Sequence, residues 1–232
     1  MSILLAIEMS QRIGSVAFSR SSTLDSIDFP CGGRQDDLLL PSIDELLSRN
    51  DCTPDSIQGI GVSIGPGGFT GLRIAVATAK GIAEVTGCDL HAIPSAEVAA
   101  ESVRDRFRTG DRVVVLAAAK QGSCWLTPLE CAVDRWLPTG VPGLHEVDAP
   151  AEEVVALCRG AVVLADEHVP ASFIDAVEPV ARLVEAPSHH AEACVRISRG
   201  MAERGESVDP LELVPLYPRE PEAVRLWRSR GE

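Results

Sequence analysis

Aromatic side chains are scarce in this chain, at 4% of its 232 residues. A core here must be aliphatic. Positive charge is also short: 21 Lys and Arg against 34 Asp and Glu leave a formal net charge of −13. That balance makes the chain a poor direct ligand for a phosphate backbone, whose binding needs basic patches, while leaving a basic partner protein open to it. No apolar run approaches the roughly 20 residues that span a membrane. No secretory leader is expected either, since Met1-Ser2-Ile3 has no basic start and Glu8 interrupts the apolar stretch. The seven cysteines are scattered and never form a Cys-x-x-Cys pair. Reduced thiols in a cytoplasm are the expectation, mostly as small buried apolar residues.

Metal and catalytic patterns are missing too. None of His91, His145, His168, His189 and His190 sits in His-x-x-x-His or His-Glu-x-x-His, and Gly-x-Ser-x-Gly is absent. His190 and Cys194 are four apart, but no third ligand stands nearby. The chain is expected to bind no metal or cofactor alone.

Hydrophobic residues make up 45% of the chain, enough for one large or two small domains. Strands are expected at Ser2–Glu8, Ile13–Ser19 and Thr23–Phe29, followed by a helix over Arg34–Arg49. Asp36 and Asp37 suit that helix's start, and Pro41 its first turn. A strand over Ile57–Ile64 then meets Gly65-Pro66-Gly67-Gly68, which breaks it sharply. Thr70 is the expected N-cap of the next helix, which runs to about Val85. Asp89–Ile93 is a strand and Ser95–Phe107 a helix. After a boundary near Thr109-Gly110, strands are expected at Asp111–Ala119 and Ser123–Leu129. A proline-rich loop over Pro138–Pro150, a helix over Ala151–Cys158, a strand over Ala161–Ala165 and a strand over Glu178–Leu183 follow. His189–Arg204 is a helix, Leu213–Arg219 is extended, and Pro221 starts a short last helix whose Trp227 either packs back on the body, the favoured reading, or anchors a partner.

Three strands on short turns suggest antiparallel neighbours, and the later strand–helix alternation suggests parallel additions. The expected class is α/β, with residues 1–109 as a ribonuclease-H-like unit and 110–232 as a smaller second one.

The helix after the glycine turn repeats small residues every four positions: Gly71, Ala75, Ala79 and Ala83, flanked by Ile74, Thr78, Ile82 and Val85. Two readings stand: close packing on the chain's own sheet, or a face that lets a partner helix approach. A phosphate site is poorly supported. Gly65 leads to Thr70-Gly71-Leu72 where a P-loop needs Gly-Lys-Ser/Thr, and Thr70 stands where a dinucleotide fold needs its third glycine.

The stretch Gly65-Pro66-Gly67-Gly68-Phe69-Thr70-Gly71-Leu72-Arg73, with Ala79-Lys80-Gly81-Ile82-Ala83, resembles the signature of the TsaB (YeaZ) family, which usually has Ser at the place of Gly68. Leu39–Leu47 is similar to that family's first helix, with Gln35-Asp36 where His-Ser is usual. Pro215–Arg219 and Glu222–Trp227 are similar to its C-terminal segment. Departures are Glu8-Met9-Ser10 for Asp-Thr or Asp-Ser, Ala118-Ala119-Lys120 for Asp-Ala-Arg, and Gly122-Ser123-Cys124-Trp125 for Gly-Glu-Val-Tyr. Glu8 reads on its own residues as a carboxylate that orders the first turn.

The resemblance implies an actin-like (ASKHA) fold of two ribonuclease-H-like subdomains. It implies a non-catalytic partner of TsaD in forming threonylcarbamoyladenosine at position 37 of tRNAs that read codons beginning with A. A TsaE-like ATPase would dock on the pair, ATP and metal would sit on those partners, and tRNA would be reached only through the complex. Under this reading Leu39, Ile43, Leu46 and Leu47 of the first helix join Gly71, Ile74, Ala75, Thr78, Ala79 and Ile82 in docking the TsaD-like chain, or a second copy in a homodimer. The alternatives are an independent actin-like ATPase or kinase, and a metal-dependent peptidase.

Overall fold

A computed structural model describes residues 2–31, 38–119, 122–145, 152–217 and 227. The first sheet holds β1 (Ile3–Glu8), β2 (Ile13–Arg20), β3 (Thr23–Pro30), β4 (Gly59–Gly65) and β5 (Asp89–Pro94), in the order β3-β2-β1-β4-β5. β1, β2 and β3 pair antiparallel across short turns. β4 joins β1 and β5 joins β4 in parallel. The helices α1 (Leu39–Arg49) and α2 (Phe69–Thr86) make the crossovers that parallel pairing demands.

After α3 (Ser95–Ser102), the second sheet repeats the scheme. It contains β6 (Arg112–Ala118), β7 (Cys124–Cys131), β8 (Trp136–Pro138), β9 (Gly143–His145), β10 (Val162–Ala165) and β11 (Leu183–Glu185). β7 pairs antiparallel with β6, and β8 and β9 share the far side of β7 as two short strands. β10 lies parallel to β6 and β11 parallel to β10. Helices α4 (Glu152–Cys158) and α5 (Ala171–Val177) connect them, and α6 (Ala191–Glu203) follows. Outward from β6, this is the topology of the first sheet taken outward from β1. The fold is thus α/β with two ribonuclease-H-like halves in an actin-like arrangement.

Strand alternation decides the packing. Leu5, Ile7, Val16, Phe18, Ile60 and Val62 point to one face of the first sheet, under α1 and α2. Ala6, Ala17 and Ile93 point to the other, under α3 and α6. That second face is built of small residues so that α6 can lie close. A Cβ on Gly61 would stand 2.9 Å from Ser198 Cβ and 3.2 Å from the Cys194 carbonyl oxygen. Helix α6 therefore returns from the C-terminal end of the chain to the first sheet. Helix α3 lies between the halves: Ala96, Ala99 and Ala100 pack with Val113, Val115, Trp136 and Val162 of the second sheet. The outer face of that sheet is closed by Val154, Cys158, Phe173 and Val177 of α4 and α5.

Several expectations shift. α1 starts at Leu39 among the described residues, with Pro41 in its first turn; the expected start at Arg34, with Asp36 and Asp37, lies outside them. α3 stops at Ser102 and a separate 3-10 turn spans Arg104–Arg106. The proline-rich region contains β9 and the end of β8. α5 occupies a stretch with no expected element, and the expected strand over Glu178–Leu183 forms instead at Leu183–Glu185. Trp227 is 75% exposed and does not pack back; most of the expected last helix lies outside the described residues. No helix among the described residues is long and apolar enough to cross a membrane.

Candidate functional site

The glycine turn wraps the β1–β2 turn. Gly65 closes β4 at φ +108, a conformation side chains rarely adopt, and the Gly65–Pro66 peptide is cis. A Cβ on Gly67 would stand 2.5 Å from the Ser10 carbonyl oxygen, and one on Gly71 would fall on the Met9 carbonyl oxygen. The Gly68 N–H donates to the Ser10 carbonyl at 2.7 Å. Gly68, not Thr70, is the N-cap of α2: the helix starts at Phe69, which puts Thr70 inside its first turn, and no side chain caps it. The Ser10 carbonyl thus takes one N–H at the start of α2 that could otherwise face an anion. Glu8 is fully buried beneath it, and its Oε1 accepts from the Ser10 N–H at 2.6 Å. Its carboxylate orders the first turn, as its own residues suggest.

The residues expected to dock a partner divide into two groups. Leu39, Ile43, Leu46 and Leu47 of α1 and Ala75 and Ala79 of α2 are buried in the chain's own core. While this fold is kept they face the sheet, so Ala75→Trp would overpack the core. Gly71 is spent on the first turn. Ile74, Thr78 and Ile82 are partly exposed. They flank a second stripe, Ala77, Gly81 and Val85, that points outward, with Val85 82% exposed. Leu40 of α1 is exposed as well. The sequence pattern marks α2 as small-faced, and the structure turns Ala75, Ala79 and Ala83 of that stripe into the chain's own core. The available signal is Gly81, a glycine in a helix interior with nothing within 4 Å of the place a Cβ would take.

A cleft of about 760 Å³ separates the β1–β2 turn and the start of α2 from the segments after β10 and β11. Arg12 meets His168 at 3.3 Å and Glu167 at 3.9 Å. His190 Nδ1 lies 3.5 Å from Asp28. Burial pulls His189 below its ordinary value; Glu8 and Asp166 oppose that and His190 adds to it. Acids and bases alternate around this cleft, so it presents no uniform charge to a polyphosphate. Among the described residues, no group of three or more His, Cys, Asp and Glu side chains could hold a metal ion. The Cys194 thiol is buried near Glu8 Oε2 at 4.0 Å, and burial pushes it well above the usual thiol range. A Ser–His contact does exist, Ser198 to His91 Nδ1 at 2.7 Å, but both residues are buried between α6 and β5 and no substrate reaches them.

Residues 35–127 match the family described as TsaD, tRNA N6-adenosine threonylcarbamoyltransferase. Two proteins named tRNA threonylcarbamoyladenosine biosynthesis protein TsaB are similar, both from Buchnera aphidicola. One, from subsp. Acyrthosiphon pisum, is 24% identical over 71% of this chain and 75% of its own length. The other, from subsp. Baizongia pistaciae, is 28% identical over 66% of this chain and 70% of its own length. The chain is thus similar to proteins named TsaB over about two thirds of its length. Solved structures agree in fold. YeaZ from Pseudomonas aeruginosa superposes with a TM-score of 0.77 at 20% identity, covering 94% of this chain and all of that one. A structure titled as an uncharacterized protein with similarity to peptidase YEAZ from Pseudomonas aeruginosa gives 0.80 at 21% identity, with the same coverage. Set against the usual TsaB signature, Gly68 for Ser is a mild departure. A Cβ there would meet only the Ser10 carbonyl, at an ordinary 3.5 Å. Of the second departure, Ala118 ends β6 and Ala119 bonds Ser123, while Lys120 lies outside the described residues.

Proposed function

We propose that this chain is a non-catalytic, cytoplasmic partner that activates a TsaD-like paralogue in forming the threonylcarbamoyl group on adenosine 37 of tRNAs reading codons that begin with A. The likeness to proteins named TsaB carries the reading. The outward face of α2 supports it. Ala77, Gly81 and Val85 with Ile74, Thr78 and Ile82 make a small-residue surface, bordered by Arg73 and Glu84, that another helix can approach closely. Metal and ATP belong to the partners in this reading, and a TsaE-like ATPase docks on the pair. Without the paralogue the same face joins two copies of this chain. The net charge of −13 fits a chain that meets tRNA only inside the complex.

The test mixes the chain with TsaD from the same organism, following complex mass by light scattering and tRNA modification with threonylcarbamoyl-adenylate and TsaE supplied. Complex formation, with modification that depends on this chain, is expected. No complex and no effect on modification would overturn the reading. The cleft keeps one rival in view, an independent actin-like ATPase. Stoichiometric ATP binding by the isolated chain would favour that rival.

A further inference from the structure

On the side of the second sheet that faces α3, β7 sets Trp125 and Thr127 two positions apart, so both belong to one face. Across the sheet, Trp125 stands beside Ala117 of β6 and Thr127 beside Val115. Asp166 directly follows β10 and donates its backbone N–H to the Leu116 carbonyl at 2.9 Å, which places it next to Ala117 on the other side. The row formed by Asp166, Ala117 and Trp125 is therefore high at both ends and carries only a methyl group in the middle. A recess of about 10 Å³ lies over it, bounded by Pro66 of the glycine turn and Ser95 of α3. It opens into the large cleft, because Gln11, Asp166, Pro187 and His189 line both.

Two donors along this recess are unmatched. The Trp125 indole Nε1–H is sealed from solvent and meets no acceptor. The Thr127 hydroxyl makes no hydrogen bond among the described residues, although the residue is only 5% exposed. A buried donor costs stability unless something accepts from it. Nearby groups are treated differently: Ser95 shares a hydrogen bond with Ser63 at 2.8 Å, and the Trp136 indole donates to Glu101 at 3.1 Å. At the cleft end, Asp166 Oδ1 accepts from the His168 backbone N–H at 2.8 Å, and Oδ2 has no partner among the described residues.

We propose that the recess and the adjoining cleft bind a small α-amino acid. Its carboxylate takes the Trp125 and Thr127 donors inside the recess, and its ammonium group lies on the cleft side against Asp166 Oδ2. A carboxylate supplies the acceptors that the two donors lack, and a charged acceptor makes the stronger bond. The ammonium group is needed as well, since Asp166 repels a lone anion brought up beside it. A polyphosphate suits the place poorly, because Asp166 and Glu167 stand at the way in and the room over Ala117 admits one small group. The site is remote from the outer face of α2 and stands or falls independently of the docking reading.

The full chain, isotope-labelled at the tryptophan indole nitrogens, tests this with glycine as the probe. The indole N–H resonances come from Trp125, Trp136 and Trp227, and Trp125→Phe assigns the one that matters. Glycine should shift the Trp125 resonance saturably and leave Trp136 in place, because Glu101 already holds that indole. Acetate, a carboxylate without an ammonium group, should bind roughly fivefold more weakly or worse. Asp166→Asn keeps an acceptor for the His168 N–H; it should weaken glycine about tenfold and acetate not at all. Thr127→Val should weaken both about tenfold, with no loss of stability in urea, since its hydroxyl has no partner to lose. A Trp125 resonance that glycine does not move saturably, glycine and acetate binding alike, or affinities that Asp166→Asn and Thr127→Val leave unchanged would overturn the site.

Discussion

Gly71 and Gly81 show how the same residue type in one helix can answer to opposite needs. Gly71 has no room for a side chain, because the Met9 carbonyl oxygen occupies the place of its Cβ. Its backbone is ordinary, so the requirement is closeness and not conformation. Gly71→Ala should push α2 off the β1–β2 turn and strain the Gly68–Ser10 bond. A loss of about 3 kcal/mol is expected, comparable with other overpacking changes, read from urea unfolding. A loss below about 0.5 kcal/mol would mean that the turn shifts freely, and a turn that shifts freely could also make way for a phosphate.

At the scale of the element, α2 has an apolar inner side and an outer stripe of small residues, Ala77 and Gly81, with exposed Arg73 and Glu84 beside it. Gly81 sits in that stripe with open space around it, so nothing inside this chain requires it. Gly81→Ala should stabilise the isolated chain by about 0.5–1 kcal/mol through helix propensity. Gly81→Glu should still fold, yet weaken capture of the TsaD-like paralogue at least tenfold. A Gly81→Glu chain that binds normally would remove this face from the interface. The helix itself is plain in the sequence, as are β1, β2, β3, α1, β4 and β10, because each repeats its pattern over several residues. Which side of α2 faces inward is not, since a helix apolar on two sides names no single inner face. Ala75, Ala79 and Ala83 turn inward because Leu5, Ile7, Ile60 and Val62 already fill the space above the sheet. α5 escapes for a different reason: seven residues, Ala171–Val177, are too short for a helical period to register. Both short strands β8 and β9 sit among prolines and glycines that read as loop.

The whole molecule depends on contacts that leave no local trace in sequence. Helix α6 is legible as a helix, but its seat on β1, some 180 positions earlier in the chain, is not. Only Gly61, Ala6 and Ala17, small where a strand would normally carry bulk, hint that something must come close. The halves are joined at α3, and Glu101 is the polar centre of that joint. It holds Arg104 from the following turn, Arg196 from α6 and Trp136 from the second sheet. Burial pushes its carboxyl upward, and Arg104 and Arg196 pull it back. Glu101→Ala would leave the Trp136 indole N–H without its acceptor in a buried site and set two guanidinium groups against each other. A loss of about 2–3 kcal/mol is expected, below the full cost of breaking a buried pair because Arg196 is 44% exposed. Glu101→Gln, which keeps an acceptor for the indole, should lose about half as much. If the joint is what makes the halves unfold together, Glu101→Ala should also lower the urea m-value, as one transition begins to separate into two. An unchanged m-value with a full loss of stability would place the coupling in the apolar packing of Ala96, Ala99 and Ala100 instead.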